Sequence, residues 1–553
     1  MKKITMFLFL LGLTVFIVSC DLKNTENTTT TNNTSSSTSS TSTEVTTTWS
    51  SSDNTTTNTV TVPSSTTYLT TESTTATTNT TVVLTTATTT VPTTYTTTST
   101  TSSTTSATIT TASTTTMATT TEITTNTNEP IIPVGYNLLQ DELESVGIPA
   151  TGDVKVLVFV VDFVDSQITD TTKVMNDVDL AFNGNSEDID FESLHSYYGL
   201  SSYGKLNLTA DIFGVYRASN NSSYYEQLNE NFYATDPYTG EYLYNDAPHP
   251  DSDLIYELLE FYDNQIDYSD YDQNQDGFID GVYVLYNHDI SYESGSDLWW
   301  AYQYYYWYED SFDGVSPNYY VWSGIDFFYE GYENVNARTI IHETGHMLGL
   351  DDYYDYYPDD LNNSGGLGTF MMDYTIGDHE PFSKILLGWI TPIVIEQTMV
   401  VDLEKFLLNG EVLLIIDTWN NTIFDEYFLV MYYTPEGLNE LDQDYIFTDS
   451  GILIFHVSAE IGNGYDSESY YYSIFNNNNT DTENKLVKII EADMSGDIDK
   501  YAIVENSDLF VAGDGFGRNI YSTYRWYDNK AINLEINVID INSEAARIEV
   551  KFK

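Results

Sequence analysis

From Asp21 to about Asn128 the chain is almost entirely threonine and serine with scattered asparagine, as in TTATTTVPTTYTTTSTTSSTTS. Large apolar residues are rare there and recur at no period. Such a segment cannot bury enough surface to offset the entropy of ordering itself, so disorder is expected. Any hydrophobic core of the 553-residue chain must therefore come from the residues beyond this tract. As a flexible coil of about 108 residues the tract reaches roughly 60 Å, and in extended polyproline-like form roughly 330 Å. It has the makings of a stalk.

Ahead of it, MKKITMFLFLLGLTVFIVSC pairs a basic start with an apolar run. The run is too short to span a bilayer comfortably, which takes about 20 apolar residues, and it reads as a secretory signal. IVSC resembles a bacterial lipobox, in which the chain is cut before the cysteine and that cysteine receives lipid. An ordinary signal peptide with an incidental cysteine is the alternative. Cys20 is the only cysteine, so the exported chain has no internal disulfides and must be stabilised some other way. These features predict a signal over 1–20, a linker over 21–130, and a protein held to the outer face of a membrane by a lipid at Cys20.

The formal net charge is −64, from 83 acidic residues against 19 Lys and Arg, nearly all of it beyond Asn128. Nucleic acid is excluded as a partner of such a surface. Bound divalent cations, a salty medium that screens self-repulsion, or simply a very soluble surface would each suit it.

Order is expected to begin near IIPVGYNLLQDELESVGIP. The run VKVLVFVVDFVD from Val154 is almost continuously apolar and β-branched, as in a buried central strand. DFESLHSYYGLSSYG and DSDLIYELLEFYDNQ have helical spacing. Past Trp389, short runs such as EVLLIIDTW, EYFLVMYY, GILIFHVS and ARIEVKF alternate with Asn, Gly and Asp clusters, which predicts strands. The expectation is an α/β (α+β) domain over 131–392 and a β-rich C-terminal domain over 393–553, with the boundary near Pro392.

The stretch RTIIHETGHMLGLDDYYDYYP begins at Arg338. On a helix, residues at i and i+4 share a face, so His342 and His346 can meet one ion. Glu343 lies beside the first of them, placed to reach a water on that ion. Gly345 is the one weak point of the predicted helix. Gly349 can adopt a left-handed conformation, end the helix and turn the chain back. That turn delivers Asp352, with Asp351 the neighbouring alternative. A catalytic zinc takes three protein ligands and an open position, and the spacing HExxHxxGxxD supplies them. The bland alternative is a helix with satisfied polar residues. Further on, GTFMMDY has the look of a Met-turn, in which Met372 packs beneath the histidines. Tyr374, two residues later, is placed to swing towards the metal or a developing oxyanion.

These segments resemble the immune inhibitor A-like secreted metallopeptidases. The resemblance rests on HETGHMLGLDDYYD, GTFMMDY and GDHEPFSKILLGW, and extends to VKVLVFVVDFVD, SYYGLSSYGKLNL, DYDQNQDGFIDGVYVLYN, EYFLVMYY and SGILIFHVS. It covers most of residues 150 to 470. It implies a metzincin-like catalytic domain, with His342, His346 and Asp352 as zinc ligands and Glu343 as catalytic acid/base. Asp351 stands where many relatives have proline. The implied chemistry is peptide hydrolysis in extracellular proteins: zinc lowers the pKa of a water towards about 7, and Glu343 passes its proton to the leaving amine.

A second cation site is expected in DYDQNQDGFID. Asp272, Asn274, Asp276 and Asp280 fall at positions 1, 3, 5 and 9 of an EF-hand-type calcium loop, with Gly277 at 6 and the Phe278 carbonyl at 7. Position 12 is Tyr283, so the usual bidentate glutamate is missing, and Asp270 or a distant carboxylate would have to replace it. An acidic turn without an ion is the alternative. His379 reads as a structural hydrogen-bonding histidine near the site, with a fourth metal ligand as the alternative. His195, His249, His288 and His456 have no ligand partners at useful spacing. The aromatic run WWAYQYYYWYED from Trp299 would line a substrate cleft, bind sugars or pack. The segment from Glu129 to Thr151 would be placed to mask the cleft. Together these features predict a lipid-anchored cell-surface zinc endopeptidase. Its rivals are a stalked adhesin with a silent site, and a peptidase whose β domain binds carbohydrate or host protein.

Overall fold

The computed structural model describes residues 147–553 except 186–188, 235–247, 291–296, 330–333, 355–365, 421, 441–445, 463–474, 480–483 and 499–503. The expected signal, Cys20, the Ser/Thr-rich tract and most of the 129–151 segment lie outside the described residues. The described residues form a mixed α/β structure.

The first sheet is built around the apolar run. Strand β1 (Gly152–Asp162) lies between β2 (Leu206–Arg217) and β3 (Val282–Tyr286), parallel to both. At the far side, β4 (Tyr302–Tyr305) forms the edge, antiparallel to β5 (Tyr319–Gly324), which pairs in parallel with β3. Successive side chains of a strand point to opposite faces. Val156, Val158 and Val160 therefore enter one core, and Leu157, Phe159 and Val161 enter another. Both faces are covered, which is why the run shows no polar alternation. Each such side chain stabilises the fold by about 1.5–3 kcal/mol relative to exposure.

Eight helices accompany the strands among the described residues: α1 (Thr171–Asn183), α2 (Leu194–Ser201), α3 (Ser222–Phe232), α4 (Pro250–Tyr262), α5 (Arg338–Met347), α6 (Met371–Tyr374), α7 (Pro381–Leu386) and α8 (Phe406–Asn409). Helix α4 supplies Leu254, Ile255 and Leu258 to the second core, and α5 supplies Ile340, Ile341 and Met347 to the first. Helix α2 starts at a capping box in which Ser193 and Ser196 bond each other's amides.

Beyond Pro392 the chain is β-rich. A five-stranded sheet has the order β11-β10-β9-β8-β6, from β6 (Ile393–Ile395), β8 (Val412–Ile415), β9 (Glu426–Tyr433), β10 (Gly451–Ser458) and β11 (Val487–Ile489). A four-stranded sheet has the order β12-β13-β14-β7, from β7 (Met399–Glu404), β12 (Gly515–Gly517), β13 (Leu534–Ile541) and β14 (Ala545–Phe552). Strand β9 sends Phe428 and Val430 into a core with the four-stranded sheet. Its alternate residues Leu429 and Met431 join Val156, Ile341 and Met372 in the first core. The hydrophobic interior therefore runs unbroken across Pro392, and the described residues form one compact unit.

Candidate metal centre

Helix α5 is almost wholly buried, and polar side chains hold it from outside its own hydrogen-bond ladder. The Tyr198 hydroxyl donates to the Ile341 carbonyl (2.7 Å), and the Tyr283 and Thr344 hydroxyls bond at 2.9 Å. The helix ends in a Schellman arrangement. The Leu350 amide donates to the Gly345 carbonyl (3.0 Å) and the Gly349 amide to the His346 carbonyl (2.9 Å), with Gly349 at φ +91°. A side chain at that φ would be strained, so glycine sets the reversal. The returning chain brings Asp352 back over the face that carries the two histidines.

Oδ1 of Asp352 lies 3.0 Å from Nε2 of His342 and 3.3 Å from Nε2 of His346. All three ligand atoms fall within 4.8 Å of one another. A tetrahedral ion with bonds of about 2.0–2.1 Å separates its ligands by roughly 3.3 Å, so the group can hold a metal ion. The outer ring nitrogens fix the tautomers. Nδ1 of His342 lies 2.8 Å from the Met371 carbonyl and Nδ1 of His346 lies 2.8 Å from the Leu350 carbonyl. A carbonyl only accepts, so each Nδ1 carries a proton, and each Nε2 is turned to the shared point, where it can give its lone pair to an ion once any proton it shares with Asp352 is displaced.

The electrostatics match a site built for positive charge. Burial works against the charge on Asp352, but the adjoining imidazoles outweigh it and hold the carboxyl far below the ordinary range. Burial likewise opposes a charged His346, yet Asp352 overcomes this and pushes it up to about 10. His342 is raised for the same reasons. Burial raises Glu343, with the two histidines partly countering it, and its carboxylate accepts from the Gln303 amide on β4. A raised carboxylate next to the ligands suits a proton acceptor.

Gly345, the weak point of the helix, is where Met372 rests. A Cβ added there would overlap the Met372 sulfur and lie 3.0 Å from its methyl carbon. Met372 is buried, in a turn framed by Phe370 at φ +80° and Thr375 at φ +58°. The preceding residue, Met371, supplies the carbonyl that orients His342. Tyr374 ends α6 half-buried, with its amide bonded to the Phe370 carbonyl at 3.0 Å. The tyrosine whose hydroxyl bonds Asp352 is Tyr354. One more tyrosine in DDYYDYYP carries no spacing signal, so nothing in the pattern of residues announces it.

Beneath the turn, His379 departs from expectation. It is buried against Tyr197, Tyr198 and Trp389, and neither ring nitrogen has a hydrogen-bond partner among the described residues. Burial and nearby Lys384 keep it neutral. It packs rather than bonds. The hydrogen bonding in GDHEPFSK belongs to Asp378, which meets the buried Lys384 ammonium at 2.6 Å and the Ser201 hydroxyl at 2.6 Å, and takes its own amide to Asn439 at 3.0 Å. His195, His249, His288 and His456 lie elsewhere, each with its own partner.

In the acidic loop, Asp272 accepts from the amides of Asp276 (3.0 Å) and Gly277 (3.1 Å), and Asn274 accepts from Asp276 (3.1 Å). Gln275 at φ +62° and Gly277 at φ +92° make the tight turn. Asp280 is buried; one carboxylate oxygen takes the Gln273 amide (2.9 Å), while the other has no partner among the described residues. Burial, opposed by that amide and helped by Asp276 and Asp272, pushes Asp280 up to about 7. Tyr283, at position 12, faces Thr344 inside the core and offers the loop nothing. Among the described residues, the only three His, Cys, Asp or Glu side chains gathered closely enough to hold an ion are His342, His346 and Asp352.

In comparisons with known proteins, no family model and no curated protein sequence matches the chain.

Proposed function

We propose that this protein is a zinc-dependent endopeptidase of the metzincin type, similar to the immune inhibitor A-like enzymes, acting on extracellular proteins or peptides. The observation that carries the reading is the convergence of two imidazole Nε2 atoms and one carboxylate oxygen within 4.8 Å of one another, with a buried glutamate beside them. Two nitrogens and one oxygen are a donor set typical of catalytic zinc. When bound, zinc supplies Lewis-acid polarisation of the scissile carbonyl and of the attacking water.

The rest of the chemistry falls to the chain. His342, His346 and Asp352 would hold the ion, and the Met371 and Leu350 carbonyls keep the imidazoles aimed. Glu343 takes the proton of the attacking water and delivers it to the leaving nitrogen, and its raised pKa suits both transfers. Strand β4 is an edge strand whose Gln303 amide reaches Glu343. An extended peptide that adds to this edge passes directly over the site. Calcium at Asp272, Asn274, Asp276, Phe278 and Asp280 belongs to the same proposal, as a structural ion that neutralises a crowded loop. So does export with a lipid at Cys20.

The test is Glu343→Gln. Metal content, by elemental analysis of the purified protein, is expected to stay unchanged, while casein hydrolysis falls by at least about 10²–10⁴-fold. A wild-type protein that binds zinc and cuts nothing, or a variant that still cuts, would sink the proposal.

A further inference from the structure

The three ligand side chains of the candidate centre are placed by different means. His342 and His346 ride on α5, whose own hydrogen-bond ladder fixes their spacing. Asp352 lies past the end of that helix, in a segment that is neither helix nor strand. Its position therefore depends on what holds the residues around it. Tyr353, the next residue, is buried and held on both sides. Its amide donates to the Met372 carbonyl at 2.8 Å. Its carbonyl accepts from Nδ2 of Asn479 at 3.0 Å, a residue 126 positions away in the chain.

Asn479 is itself buried, and its amide is fully engaged. Nδ2 donates a second bond to the Val487 carbonyl (2.8 Å), and Oδ1 accepts from the Val487 amide (3.1 Å). Val487 belongs to β11, the edge of the five-stranded sheet, so this side chain stands where a residue of a neighbouring strand would pair. The contacts leave the amide one orientation, with its oxygen towards an N–H and its nitrogen towards two carbonyls. The buried Lys485 ammonium donates to the Asn479 carbonyl at 2.7 Å and steadies the backbone behind it. Asn479 thus ties the edge of a sheet beyond Pro392 to the turn that carries Asp352.

We propose that Asn479 is a positioning residue of the metal centre: through the Tyr353 carbonyl it sets where the Asp352 carboxylate meets the ion. The inference rests on the zinc reading. Metal–ligand bonds are held to about 0.2 Å, so a small shift of the turn weakens the carboxylate bond while both imidazoles stay in place on α5. Only an amide serves all three partners of Asn479. An aspartate there has no N–H to offer and sets a carboxylate against two carbonyls, leaving buried acceptors unpaired. An alanine removes the tie altogether.

The experiment uses the full chain and two readouts: zinc affinity by competition with a chromogenic chelator, and the visible absorption bands of the cobalt(II)-loaded protein, which follow the number and geometry of the donor atoms. The variants are Asn479→Asp, which keeps the side-chain size, and Asn479→Ala. Ile454→Ala is the control: Ile454 is buried in the core shared with the four-stranded sheet, which contains no residue of α5 or of the Asp352 turn, so its truncation lowers stability without touching the tie. All are measured well below their melting temperatures. Zinc affinity is expected to fall about 10–100-fold in Asn479→Asp, with shifted cobalt bands, while Ile454→Ala matches the wild type in both. If Asn479→Asp does not fold, Asn479→Ala is read in the same way. Wild-type bands and affinity in the Asn479 variants, or an equal change in the control, overturn the positioning role and leave the metal centre standing. A wild type that binds neither zinc nor cobalt overturns both.

Discussion

Gly345→Ala is the sharpest test of how the metal helix is packed. In an ordinary helix interior this change stabilises by about 1 kcal/mol, because alanine loses less backbone entropy. Here the new methyl would overlap the Met372 sulfur and sit 3.0 Å from its methyl carbon, with His379 at 3.7 Å on the other side. Overpacking of this kind costs about 1–3 kcal/mol. The net expectation is a loss of up to about 2 kcal/mol in place of the usual gain, read as a lower urea midpoint at unchanged slope. Displacing Met372 also disturbs Met371, whose carbonyl aims His342, so zinc affinity is expected to fall about tenfold. Met372→Ala alone costs about 2–5 kcal/mol through the cavity it leaves. In that background Gly345→Ala has room, and its effect should turn neutral or become stabilising by up to about 1 kcal/mol, a coupling of opposite sign to the single change. A Gly345→Ala protein about 1 kcal/mol more stable than wild type, with full zinc affinity, would refute the packing argument.

Three further outcomes concern protons. With His346 pushed up to about 10 by Asp352, the metal-free site holds a proton at neutral pH that an ion must displace. Apparent zinc affinity should therefore rise about tenfold per pH unit between about pH 7 and 9 for each proton released, and calorimetry in buffers of different ionisation enthalpy should show that release; its absence would count against the cluster. In the same metal-free protein, the stabilisation from His346 is complete below its ordinary pKa near 6.5 and is lost as pH rises through about 10. Asp280 has the opposite sign. It is an acid raised to about 7, so between about pH 4 and 7 the folded state binds more protons than the unfolded. Calcium-free protein should lose about 4 kcal/mol of stability as pH rises across that window. Millimolar calcium should restore it, and Asp280→Asn should remove both the slope and the calcium response; a melting temperature indifferent to calcium would count against the loop as a site.

Much of this was legible in the sequence because it follows from short-range pattern. The β1 run reads as buried on both faces, and the i, i+4 histidines with Gly349 and Asp352 encode a helix, a reversal and a return. Gly345 looked like a flaw because its reason, the Met372 sulfur, lies 27 positions away in the chain. Tyr354 and the Asp378–Lys384 pair were hidden for another cause: each bonds a near neighbour in the chain, two and six residues away, across an irregular turn that leaves no period behind. The histidine of GDHEPFSK misled because residue type suggests bonding, whereas its neighbours are rings. The placement of WWAYQYYYWYED stayed open until the edge position of β4 brought the Gln303 amide, from its middle, to Glu343.

The unbroken interior beneath the Met-turn bears on how the molecule can be cut down. Phe370 touches Phe455 of β10 at 6.0 Å, and the Asn479 side chain donates to the carbonyl of Tyr353 at 3.0 Å, one residue past the ligand carboxylate. The floor of the candidate metal site is thus laid partly by residues downstream of Pro392. A recombinant fragment ending there would expose that floor to water and leave helix α5 without support. Proteolytic trimming of the C-terminal half would dismantle the metal site, and would not be the shedding of an accessory.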